Sequence, residues 1–370
     1  MQYTHHFQDT FVEQHIFDAG TFVKECHLMI HVNNLSLSFT QQLKSIIDSY
    51  SCLLSNELKH FTPAFKRYFV SDITNQMHDI RKAEANDAAW TAIQQPPLDG
   101  TKIALWVYLL TDVEKNITKS GLHEIRHNGY RHLWLGGASS RERGAHDETA
   151  DILQRYIKQL TQEGLTLEKN CLRTWFFVND IDNQYSGMVK ARNEVFDNER
   201  LTVDTHFITS TGIEGRQADP SRRVMMDAYA IDGINSEQVH FLYASTHLNR
   251  TSDYGVRFER GTYIDYCHRR KIFLSGTASI DNRGEIVHPG NIRLQTERTL
   301  ENVEVLLREA GATSDDIEIL TIYLRDTADY AVVKQIFDSH FPNKPHVIVN
   351  ASVCRPGWLI EMECIADKRL

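Results

Sequence analysis

No stretch of the 370-residue chain approaches the roughly 18 to 20 consecutive apolar residues that a membrane-spanning helix needs. No CxxC pair occurs among the six scattered cysteines, Cys26, Cys52, Cys171, Cys267, Cys354 and Cys364. No apolar run near the start reads as an export signal, so free thiols in a reducing cytoplasm are expected. No Lys/Arg run dominates any segment and the net charge is -9, which excludes a general nucleic-acid binder, because phosphate contacts require a basic surface. Neither nucleic acid nor membrane is an expected partner.

What is present is the composition of a soluble globular protein, 41% hydrophobic and 24% charged, with length for two or three domains. One short motif invites a metal. "LHEIRHNGY" contains His123-Glu124-Ile125-Arg126-His127, a match to the H-E-x-x-H pattern of zinc proteases, which works only on a helix that puts both histidines on one face. Ser120-Gly121 before it and Asn128-Gly129 after it leave room for two turns at most. Asn-Gly between two short runs signals a hairpin, with the histidines about 13 Å apart along an edge strand or loop.

Internal similarity organises the rest. "KIFLSGTASIDNRGEIV", the helical "NIRLQTERTLENVEVLLREAG", the strand "IEILTIYLRD", the helix "YAVVKQIFDSHF" and the strand "LIEMECIA" form a β-β-α-β-α-β unit. In the middle of the chain "HLWLGGASS", "HDETADILQRYIKQLTQEG", "LRTWFFVND", "GMVKARNEVF" and "RRVMMDAYAI" repeat that order. A weaker first copy runs from "HLMIHVNN" through "FKRYFVSD" to "TKIALWVYLL". Leu300, Val303, Leu306 and Leu307 recur at helical spacing, so one helix face should pack on a sheet. The expected fold is α+β, one layered unit repeated three times over residues 1–120, 121–235 and 236–370, the last including a long connection.

The unit resembles the Rid (YjgF) superfamily, on the strength of "FLSGTAS", "QTERTLENVEVLLREAGAT", "YLRD" and "IEMECIA". That resemblance implies an intramolecular pseudo-trimer of chorismate-mutase-like units, with helices outside the sheets and ligand clefts between units. Rid members that hydrolyse imines carry an arginine on the strand before the last; here "HVIVNASVC" has none. Within the superfamily the chain is most similar to the chorismatases, which release pyruvate from chorismate. "CRPGWLIEME" resembles their closing segment and places Glu361 and Cys354 as catalytic. "LSGTA" places Gly276, "RTWFFVNDID" Arg173, "YLRD" Arg325 and "DYGVRFERGT" Tyr254 as substrate-binding residues. Glycine at 276 with cysteine at 354 is similar to the subgroup that releases 3-hydroxybenzoate.

The residues themselves allow that chemistry. Protonating the methylene carbon of an enolpyruvyl ether needs an acid that holds its proton at neutral pH. Glu361 lies among Trp358, Leu359, Ile360 and Met362, an apolar setting that raises a carboxyl pKa, and strand period puts Glu363 on its face. The same alternation also describes a strand with a solvated acidic face. In the second copy Met225 stands where Glu361 stands in the third. Arginine's planar fork suits the two substrate carboxylates, and Arg173 and Arg325, on central strands of two copies, are expected to face one cleft. Cys354 is expected to shape the pocket. No metal or organic cofactor is implied; the expected partner is a small carboxylate on the way to an aromatic, and the chain a monomeric pseudo-trimer or low homo-oligomer. The rival readings are a Rid-type deaminase or small-metabolite binder, an RNA-cleaving translation inhibitor, and a scaffold without chemistry.

Overall fold

The computed structural model describes residues 1–20 and 23–370. The first unit runs β1 (Gln2–His6), β2 (Thr10–Asp18), β3 (Lys24–Val32), α1 (Phe39–Ser55), β4 (Phe61–Val70), α2 (Ile73–Ala83), β5 (Ala89–Gln94) and β6 (Ile103–Thr111). The second runs β7 (Glu114–Ile117), β8 (His123–His127), β9 (Tyr130–Ser139), α3 (Ala145–Gln162), α4 (Leu167–Asn170), β10 (Cys171–Val178), α5 (Ile181–Asn198), β11 (Thr209–Glu214) and β12 (Val224–Asp232). The third runs β13 (Val239–Leu242), β14 (Gly261–Tyr266), β15 (Arg269–Ala278), α6 (Ile292–Glu309), β16 (Ile317–Leu324), α7 (Tyr330–His340), β17 (His346–Asn350) and β18 (Ile360–Arg369).

Each unit is one six-stranded sheet, and the strand order is the same each time: β1-β2-β3-β6-β4-β5, β7-β8-β9-β12-β10-β11 and β13-β14-β15-β18-β16-β17. The repeat segments read from sequence fall on three strands of each sheet, and "GEIV", expected as a further strand after β15, is a turn with one isolated bridge at Ile286. Two more strands lead each sheet. The last (β5, β11, β17) lies parallel to its neighbour, a pairing that needs a crossover, here α2, α5 and α7.

The helices pack on one face of each sheet. On α6, Leu300, Val303, Leu306 and Leu307 are buried at the spacing that puts them on a single stripe. Each such side chain contributes about 1.5–3 kcal/mol by leaving water. On the opposite faces the three sheets meet: Trp106, Trp134, Trp175, Tyr229 and Phe273 share one apolar cluster, with the Phe65 and Trp134 rings 5.1 Å apart. The parallel outer strands link the units at the rim through the backbone bridges Gln94–Arg216, Ile213–Val353 and Pro97–Val349, with Thr209–Glu259 a second one between the second and third units. Three clefts result, one between each pair of units.

His123–His127 is strand β8, and Asn128 and Gly129, at φ 50° and 82°, make the tight turn into β9. β8 is covered on its other side by β7, so it lies inside the sheet rather than at its edge. A strand sends alternate residues to one face, and the two histidines sit at its opposite ends.

Candidate active site

The second and third units meet where β11 faces β15. β15 carries a bulge between Leu274 and Thr277 in its pairing with β18. The bulge sets Gly276 under the Glu361 side chain: a Cβ at 276 would lie 2.0 Å from Glu361 Oε1 and 2.6 Å from its carboxyl carbon. Only glycine leaves that space free.

Glu361 is 4% exposed, and its carboxyl makes no hydrogen bond among the described residues. Burial pushes its pKa up to about 8, and the negative charge of Glu363 adds to the rise; Arg260 and Arg173 oppose it without prevailing. Glu363, two residues on, is held quite differently. It accepts from Arg173 Nη2 at 2.5 Å, Trp175 Nε1 at 2.9 Å and the Tyr323 hydroxyl at 3.0 Å, and from the Thr211 hydroxyl. Thr211 Oγ1 also accepts from the Gly276 N–H at 2.9 Å, so the bulge and Glu363 share one anchor. Two carboxyl groups on one strand face are thus driven apart, one fixed by donors and one left holding a proton.

Facing Glu361 across the cavity are three guanidinium groups with no carboxylate in ion-pair contact among the described residues. Arg260, 4% exposed, spends its donors on the Asn249 carbonyl (3.2 Å), the Asn249 side-chain oxygen (3.1 Å) and the Tyr254 hydroxyl (3.1 Å). Arg355 stacks over Tyr254 and Trp358, 4.7 and 4.9 Å from their ring centres. Arg192, on α5, is 1% exposed, and its Nε and Nη2 have no partner. Burying an unpaired cation costs several kcal/mol, so a pocket built this way is short of negative charge. Its interatomic space totals about 500 Å³, of which about 30 Å³ stands open, so a ring-sized guest requires lining side chains to move.

Of the residues singled out from sequence, Glu361, Cys354, Gly276 and Tyr254 line this cavity. Burial pushes the Cys354 thiol up to about 12, so it stays protonated and serves as wall rather than thiolate. Arg173 and Arg325 do not line it. Arg173 is 1% exposed and lies beneath, committed to Glu363 and Thr211. Arg325 binds Asp182 of α5 and the Val353 carbonyl, clasping the segment that leads to Cys354. Strand register explains why the expected pairing of these two fails. Trp175 sits opposite Asp227 as Thr321 sits opposite Glu363, so Arg173 precedes that reference point by two residues while Arg325 follows it by four. Arg192, Arg260, Arg355, Tyr185 and Trp358 were not singled out. Arg260 and Arg355 stand inside the stretches "DYGVRFERGT" and "CRPGWLIEME"; Arg192 gives no sign of its own, being one basic residue on an amphipathic helix.

Comparison with known proteins agrees with this architecture. Residues 258–368 match the Endoribonuclease L-PSP family. A RutC family protein of Pyrococcus abyssi is 42% identical over 100 residues, covering 26% of this chain and 78% of that protein. The 3-aminoacrylate deaminase RutC of Acinetobacter baylyi is 31% identical over 97 residues, covering 26% of this chain and 77% of that protein. The chain therefore belongs to the Rid (YjgF, endoribonuclease L-PSP) family. The crystal structure of a chorismatase superposes on it with a TM-score of 0.65 at 19% identity, covering 82% of this chain and 93% of that one, so the three-unit fold is shared.

Proposed function

We propose that this protein is a chorismatase-like enzyme that protonates the enolpyruvyl ether of chorismate and releases pyruvate with a hydroxybenzoate. One observation carries the reading: a buried, un-ionised Glu361 faces Arg192, Arg260 and Arg355, none of which has a carboxylate partner. A small dicarboxylate that needs a proton on carbon supplies what such a pocket lacks.

In the proposed reaction the arginines take the two carboxylates and Glu361 gives its proton to the terminal methylene carbon. The cation left at the ether carbon is stabilised by the ether oxygen and by the two glutamates, now both negative. Acid catalysis of this kind is worth about 10² to 10⁴ in rate. Cys354 and Gly276 bound a tight, thiol-walled space, which favours attack by the ring's own hydroxyl over attack by water. That attack forms a bond from the hydroxyl oxygen to the ring carbon that carries the ether and breaks that carbon's ether bond, expelling pyruvate while the hydroxyl proton returns to Glu361. The bridging oxygen then parts from its original carbon, and the C–H proton of the carbon that keeps it passes to the oxygen as the ring rearomatises to 3-hydroxybenzoate. The two products together contain the atoms of chorismate, so no water is consumed.

The test is incubation of the purified protein with chorismate beside a Glu361→Gln variant, with pyruvate and the aromatic product separated by chromatography. Pyruvate with 3-hydroxybenzoate, lost in the variant, is expected. Absence of turnover with enzyme at substrate concentration overturns the reading. The likeness to a 3-aminoacrylate deaminase supports a second one, enamine or imine deamination, which would appear as ammonia release from 3-aminoacrylate. β17 offers it no arginine to hold a carboxylate.

A further inference from the structure

The cleft between the first and second units repeats the framework under Glu361 without the acid. Asp227 on β12 accepts from Arg67 Nη2 at 2.8 Å and Nε at 3.2 Å, from the Thr91 hydroxyl at 2.6 Å and from the Gly137 N–H at 2.7 Å. Arg67, Asp227 and Thr91 are as buried as Arg173, Glu363 and Thr211, the same parts in the same arrangement. Two residues before Asp227 stands Met225, where Glu361 precedes Glu363.

This cleft is also the more open of the two. Its cavity is about 820 Å³, within the range of small-molecule sites, against about 30 Å³ around Glu361. Gly136 lets β9 approach β5 at its wall, since a Cβ there would lie 2.4 Å from the Trp90 carbonyl oxygen. The floor is apolar, with Trp90, Trp134, Leu135 and Met225. Trp134 is 1% exposed, lines the cavity, and its indole N–H has no hydrogen-bond partner. At the rim, Arg81 from α2 and Arg141 from the segment after β9 are exposed and without an ion pair among the described residues. Of the rim acids, Asp151 is bound to Arg155 and Asp219 to Arg222, leaving Glu142, so the rim keeps a surplus of one positive charge.

We infer that this middle cleft binds, without turning over, a small flat aromatic monocarboxylate, its ring on the Trp90, Trp134 and Met225 floor and its carboxylate between Arg81 and Arg141. An apolar floor selects the ring, and the arginine pair selects the anion. With Met225 in place of an acid, no proton is available there to transfer. The choice of 3-hydroxybenzoate as probe rests on the reaction proposed above, whereas binding here is read whether or not Glu361 acts.

Isothermal titration of the intact protein with 3-hydroxybenzoate tests it, beside an Arg81→Ser/Arg141→Ser double variant, Ala218→Trp, which fills a half-buried lining position, and Arg192→Met in the other cavity. Expected is saturable binding weakened at least 10-fold in the arginine double variant, lost in Ala218→Trp and retained in Arg192→Met. The arginine substitutions remove exposed, unpaired side chains, so a thermal melt unchanged from wild type is expected for that variant. Absence of saturable binding at millimolar ligand overturns the inference. So does binding abolished by Arg192→Met but indifferent to the arginine pair, or inorganic phosphate binding equally well.

Discussion

The Glu361 carboxyl occupies the space that any side chain at Gly276 would need, with Oε1 only 2.0 Å from where a Cβ would stand. Gly276 lies in extended backbone that alanine can adopt, so Gly276→Ala should fold while its methyl swings the carboxyl away. Turnover of chorismate is expected to fall 10-fold or more with the melting temperature within a few degrees of wild type. An unaltered rate would mean that the carboxyl position does not matter.

The proton on Glu361 has a stability signature. Its folded pKa of about 8 lies above the ordinary 4.5, so the folded state binds the proton more tightly than the unfolded chain does. That contribution is complete below about pH 4.5 and is lost as pH rises through about 8. Glu361→Gln needs no proton, so relative to wild type it should gain stability across that window, on the order of 2–3 kcal/mol near pH 7, while losing activity. Thermal melts of both proteins from pH 5 to 9 check this; parallel curves would contradict it. Wild-type kcat should likewise decline as pH passes about 8.

Arg192 is buried with its Nε and Nη2 lacking a partner and only aromatic neighbours, Phe176 and Phe196, under its guanidinium, a poor arrangement for folding alone. Arg192→Met should leave stability unchanged or raise it, whereas KM for chorismate should rise about 10- to 100-fold, the worth of a charge-assisted hydrogen bond. A purely structural arginine would show the reverse, a lower melting temperature with KM intact.

Arg173 and Arg325 separate structural roles from binding roles. Arg173→Ala removes the direct cation partner of buried Glu363, leaving Arg67 at 3.8 Å, and should cost about 3–5 kcal/mol. Arg325→Ala breaks a partly exposed pair with Asp182 and should cost under about 1 kcal/mol, with KM changed by no more than a few-fold. Denaturant unfolding and steady-state kinetics on the two variants distinguish these outcomes.

The threefold repeat was readable because each unit must bury one helix stripe against one sheet face, and that demand prints its period on the chain. The parallel strands β5, β11 and β17 were harder to see, being short and buried by neighbouring units rather than by their own. Glu361 stood out because an acid inside "WLIEMECI" breaks the pattern that Met225 keeps. The arginines behaved oppositely. Arg192 and Arg355 reach the cavity from a helix of the second unit and a loop of the third, and only the docking of two sheets brings them together. Arg173 sits on the strand beneath the site, but its partner Glu363 is 190 residues away, so the ion pair that claims it leaves no local trace.

The most direct measurement of the carbon acid is turnover of chorismate in D2O, with the pyruvate methyl group examined by mass spectrometry and NMR. If Glu361 delivers the proton to the methylene carbon, the pyruvate should carry one deuterium in its methyl group at the first turnover, and Glu361→Gln should form none. Pyruvate released at the first turnover with an unlabelled methyl group, or labelled pyruvate formed at an undiminished rate by Glu361→Gln, would contradict the assignment of Glu361 as the acid.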